Sequence, residues 1–151
     1  MAEESFTTGL LHDVGKIILL AELPQEYRHV VELMNGEPQS IRALELEHVG
    51  CTHSQLGAYL MCVWGLPESI VKGVELHDMP SEADGAQFTP LTAVHCADAL
   101  ASAADVAPMN HDLAMDMDYV RALGLRDKEP AWHGFLDNFL AARADKAEAL
   151  F

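Results

Sequence analysis

The chain has 151 residues, half of them apolar, enough for one hydrophobic core and too few for two comfortable ones. Nine Lys and Arg stand against 24 Asp and Glu, a formal charge of −15 with histidine neutral, so a phosphate backbone is repelled and direct nucleic-acid binding is not expected. No apolar run approaches the roughly 20 residues needed to cross a bilayer, and the acidic start MAEESF is unlike a signal peptide, so a cytoplasmic protein without membrane contact is expected.

Hydrophobic spacing is helical from end to end, with almost no alternation of period two, and predicts an all-α fold. A first helix carries Phe6, Leu10 and Leu11 to a break at Gly15, after which KIILLAEL resumes. Pro24 opens PQEYRHVVELMNG, with Tyr27, Val30, Val31 and Met34 on one face and Asn35–Gly36 as its stop. Ser40 caps SIRALELEHVG, and Thr52 caps THSQLGAYLMCVWG, whose Leu56, Tyr59, Leu60 and Val63 are expected inward. Trp64 is expected to anchor the core at that helix's end. Pro67 starts PESIVKGVELH, and the polar DMPSEADGAQF reads as a loop. The apolar helix TPLTAVHCADALASAADV follows, then a short piece near MDYVRALGL and a last helix from about Pro130 that carries Trp132, Phe135, Phe139 and Leu140. No internal repeat divides the chain, so a single domain over residues 1–151 is expected. Cys51, Cys62 and Cys96 show no CxxC spacing and are expected to be buried free thiols.

Of the eight histidines, His12, His53, His77 and His95 lie in apolar stretches. A histidine there is more often a hydrogen-bonded core residue than a ligand, but nearby carboxylates alter that balance. Asp13 in LLHDVG and Asp98 in HCADAL need positive partners. Lys16 can reach Asp13 from the same helical side, and a divalent cation would neutralise both acids while taking imidazoles as further ligands. His12 and Asp13 diverge by about 100° on a helix, so both reach one ion only near a helix end, which Gly15 is expected to provide. His95, three residues before Asp98, suits a hydrogen bond to that carboxylate as well as a plain core contact. His29 and His133 read as surface residues, and His48 and His111 carry no motif. Asp112, Asp116 and Asp118 lack the glycine and closing glutamate of a calcium loop and read as a solvated acidic turn.

The order GLLHDVGK, HSQLGAYLMCVWGLPESIVKGVELHDMP, AVHCADAL resembles the HD superfamily, and most closely its HDOD branch, the HD-related output domains of bacterial signalling proteins. The resemblance covers residues 6–102, with the helices of 112–151 appended. It implies an HD-superfamily helical bundle, here lacking the usual N-terminal helices of an HDOD domain. It further implies metal ligation at the positions of His12, Asp13 and Asp98 and a second metal position at His53 and His77. In hydrolytic members Asp13 would serve catalysis and Lys16 would steady the substrate phosphate. Two departures stand out: Asp78 occupies the place of the second of two adjacent histidines, and no histidine precedes His12. The expectation is therefore a degenerate site holding a divalent ion, manganese, iron, magnesium or zinc, weakly or partially, in a non-catalytic bacterial signal-transduction module. The alternative is a metal-dependent phosphohydrolase acting on a nucleotide or phosphate ester. An uncovered apolar face on the first helix is expected to meet a protein partner or a second copy, giving a dimer.

Overall fold

A computed structural model describes residues 1–34, 40–85, 87–104 and 114–148. The expected stop at Asn35–Gly36, together with His111 and Asp112, lies outside the described residues. Among the described residues there are helices and turns but no strand, as the periodicity predicts. In chain order run α1 (Ala2–Leu11), α2 (Val14–Glu22), α3 (Pro24–Met34), α4 (Ile41–His48), α5 (His53–Val63), α6 (Glu68–Glu75), α7 (Pro90–Ala103), α8 (Met117–Ala122) and α9 (Glu129–Glu148). Short 3-10 turns at Pro80–Glu82 and Arg126–Lys128 precede α7 and α9. Among the described residues no helix is long and apolar enough to cross a membrane.

Side-chain caps fix several starts. Ser40 Oγ accepts the Ala43 N–H ahead of α4, and Thr52 and Gln55 exchange hydrogen bonds in a capping box that opens α5. The left-handed Gly65, at φ +73°, ends α5. Helices α2, α3 and α4 bury Leu19, Tyr27, Val30 and Leu44 in one cluster, while α5 and α6 bury Ala58, Met61, Ile70 and Val74 in another. Each large apolar side chain so buried contributes about 1.5–3 kcal/mol. Helix α5 packs on both α2 and α6, and α1 packs on α6 and α7.

The first break falls elsewhere than at Gly15. Helix α1 ends at Leu11 and α2 begins at Val14, so His12–Asp13 is itself the interruption and Gly15 lies inside α2. The glycine is there for packing: a Cβ on it would sit 1.9 Å from the His53 carbonyl oxygen. The inward face of α5 also differs from expectation. Its buried residues are His53, Ser54, Gly57, Ala58 and Met61, mostly small, which lets α2 and α6 approach closely. Leu56 and Leu60 are half-buried, Tyr59 and Val63 are exposed, and Trp64, expected in the core, is 60% exposed.

Nor are all three cysteines buried. Cys96 is, Cys51 is half-buried and Cys62 is exposed. Burial pushes the Cys96 thiol up to about 11, which removes the reactive thiolate at neutral pH. In a titration with Ellman's reagent, Cys62 is expected to react at once and Cys96 only after denaturant is added. A Cys62→Ser protein that kept the fast phase undiminished would contradict this order.

Candidate metal centre

The polar residues singled out from the sequence meet where helices begin and end. His12 closes α1, Asp13 precedes α2, His53 is the first residue of α5, and His77 and Asp78 follow α6; Asp98 comes from within α7. Because the helix is interrupted between them, the adjacent His12 and Asp13 face one space, with His12 Nε2 3.5 Å from Asp13 Oδ2.

Each of three imidazoles is anchored through Nδ1. That of His12 donates to the Gly9 carbonyl at 2.8 Å and that of His77 to the Val74 carbonyl at 2.8 Å. His53 Nδ1–H donates to the Glu45 carboxylate, 2.8 Å from Oε2 and 2.9 Å from Oε1. These oxygens accept, so Nδ1 carries a proton and, in the neutral ring, each Nε2 turns a lone pair inward. His53 Nε2 and His77 Nε2 then face each other at 3.4 Å. Asp13 Oδ1 lies 3.4 Å from His53 Nε2 and 3.7 Å from His77 Nε2. Asp78 stands 3.4 Å from the first through Oδ2 and 3.2 Å from the second through Oδ1, and Asp98 Oδ2 is 3.7 Å from His12 Nε2.

Lone pairs and carboxylate oxygens at these separations repel unless positive charge lies among them. His12 Nε2 and Asp78 Oδ2 are buried without a hydrogen-bond partner, a cost of about 1–3 kcal/mol each when nothing answers it. Donors that share one ion at about 2.1 Å lie roughly 3–3.5 Å apart. Two groups, His12–Asp13–His77 and His53–His77–Asp78, bring their donor atoms close enough to hold a metal ion. The residues present fit a divalent cation, with Asp78 taking the place where the resemblance implies a histidine.

Ionisation follows the same demand for positive charge. Burial works against charge on His12, but Asp98, Asp13 and the Gly9 carbonyl outweigh it and raise the imidazole above its usual value. Burial likewise opposes charge on Asp13, yet the neighbouring His77 and His12 imidazoles and the Lys16 ammonium hold its carboxyl well below the usual carboxylate range. Lys16 is buried, 7% exposed, and its ammonium meets both Asp13 oxygens, at 2.8 Å and 2.9 Å.

Two supporting residues were not singled out in the sequence. Glu45, fully buried on α4, accepts the His53 backbone N–H at 2.9 Å and the Tyr27 hydroxyl at 3.2 Å as well as the His53 ring. Burial, with the adjacent Glu45 charge, pushes the Tyr27 phenol up and keeps it a donor. A signal for Glu45 existed: it falls at i+4 from Ile41, next to the buried Leu44, on the helix's apolar face. The second is Asp78, noted only as a departure. His95 is buried, as a core contact would be, and its two nitrogens bond groups other than Asp98. Its Nδ1–H donates to the His77 carbonyl at 2.7 Å and its Nε2 accepts the Asp116 N–H at 2.8 Å, so it braces His77. Burial lowers its pKa below the usual histidine value, against the pull of that carbonyl. Asp116, in turn, caps α8 by accepting from the Asp118 and Tyr119 N–H groups.

A family model of the HDOD domain matches residues 1–80. The chain is 26% identical over 76 residues to an uncharacterized protein of Treponema pallidum (strain Nichols), an overlap of 49% of this chain and 14% of that relative. The chain thus spans a small part of that relative's length. No solved structure matches it.

Proposed function

The chain belongs to the HDOD family, and from that premise we propose that it is a non-catalytic signalling module whose helix ends are tied together by a divalent metal ion. His12, Asp13, His53, His77 and Asp78 would hold the ion, with Asp98 beside His12. When bound, the ion supplies the positive charge that these carboxylates and lone pairs require. The chain's own groups do the orienting: the Gly9 and Val74 carbonyls and Glu45 fix the three tautomers, and Lys16 offsets part of the charge on Asp13.

The observation that carries this reading is the pairing of Lys16. In hydrolytic HD proteins the matching lysine steadies a substrate phosphate, whereas here the buried ammonium is held by both oxygens of Asp13. A chain of charge −15 also offers little attraction to an anionic substrate. The second reading, a metal-dependent phosphohydrolase, draws support from a cavity of about 440 Å3 between α1 and α7, which His12 and Asp98 line. Signalling output would pass through contact with a protein partner or a second copy at the outer face of α1, where Phe6 and Leu10 are 73% and 71% exposed.

Elemental analysis combined with a phosphatase screen in manganese separates the readings. The expected result is bound metal without turnover, and metal affinity at least roughly tenfold weaker in Asp13→Ala. Turnover by the unmodified protein that disappears in Asp13→Ala would replace the module reading with the hydrolase.

A further inference from the structure

We propose that His29 on α3 and His48 on α4 form a second, surface metal site for a borderline transition-metal ion of the zinc, nickel and copper(II) class. Their rings lie 5.0 Å apart between centroids, at an interplanar angle of 80°. His29 is exposed and His48 half-buried, so an ion can reach both. Among the described residues neither ring takes part in a hydrogen bond or ion pair, which leaves ring nitrogens available as donors. Imidazole suits these metals, and two imidazoles with water can complete a coordination shell.

The pair is preorganised because its two helices are already joined. Tyr27, two residues before His29, hydrogen-bonds Glu45, three residues before His48, and Val30 and Leu44 pack in the same buried cluster. Little conformational freedom is left to lose when an ion bridges the rings. The surface site also differs in chemistry from the carboxylate-rich centre. Hard ions such as magnesium and manganese favour the acids of the centre, while the all-imidazole pair selects later metals. An ion on the pair would clamp α3 to α4 from outside, as the Tyr27–Glu45 bond does from inside. Glu45 anchors His53, so the clamp would stiffen the support of the central cluster.

Copper(II) alone, titrated into the full chain and followed by calorimetry with histidine-selective NMR line broadening, tests this. The unmodified protein is expected to bind one more equivalent than His29→Gln or His48→Gln, or to bind it at least tenfold more tightly. The double variant should lose no more than either single one, the signature of one shared ion. Circular dichroism of the metal-free variants checks their folding. If His48→Gln fails to fold, His29→Gln, changed at an exposed position, decides alone. Unchanged binding in the single variants, dependence on one histidine only, or losses that add in the double variant would each overturn the shared site.

Discussion

Glu45→Ala is expected to lower unfolding free energy by about 3–5 kcal/mol, since each buried donor left without its acceptor costs about 1–3 kcal/mol. The carboxylate is fully buried and receives three donors: the Tyr27 hydroxyl, the His53 N–H and the His53 ring. Alanine leaves all three without an acceptor and also opens a cavity beside Leu44. Urea denaturation reads the loss, and long-range proton–nitrogen NMR reads the His53 ring, which is expected to lose its fixed Nδ1–H tautomer. Glu45→Gln should fall in between, since an amide keeps one acceptor oxygen but turns an NH2 group toward existing donors. A Glu45→Ala protein as stable as the original would remove Glu45 as the anchor of the cluster.

Gly15→Ala is expected to cost about 3 kcal/mol or more, at or above the upper end of ordinary overpacking. The added carbon would sit 1.9 Å from the His53 carbonyl oxygen and 2.7 Å from its carbon, both backbone atoms. No rotamer change relieves such a contact, so α2 must move off α5, carrying Asp13 away from His53. Gly9→Ala provides the contrast. There the nearest atom to a new Cβ is Val94 Cγ2 at 3.8 Å, an ordinary contact, and alanine inside α1 should be neutral or stabilising by about 0.5–1 kcal/mol. Similar urea midpoints for the two variants would mean that α2 and α5 do not approach as closely as described.

Much of the fold is legible from residues whose effect is local. Ser40 and Thr52 announce the starts of α4 and α5 because a hydroxyl one residue before a helix can satisfy its first N–H groups. The grouping of His12, Asp13, His53, His77 and Asp98 is legible through a resemblance and through the poverty of cations near the acids. What the sequence conceals is decided by contacts between distant segments. Gly15 reads as a helix breaker in isolation, yet its lack of a side chain answers to His53, brought near only by folding. Tyr59, Val63 and Trp64 satisfy an apolar pattern, but α2 and α6 pack against the small-residue side of α5 and leave these three outside. Glu45 falls on the apolar face of α4, but its partners Tyr27 and His53 come from other helices and are supplied only by folding. His95 shares a helical face with Asp98, but the His77 carbonyl and the Asp116 N–H occupy its two nitrogens.

His12, Asp13, His53 and His77 all sit at or beside helix termini. When a packed rod pivots, its tips sweep the widest arc while its midpoint scarcely travels. A tilt of α2 or α6 too slight to disturb the packed Leu19 or Val74 would therefore spread or crowd the nitrogen and oxygen atoms at the junction. Under the proposed metal-holding reading, the cluster would serve as a strain gauge for the bundle, small angular changes among its rods altering its grip on the cation.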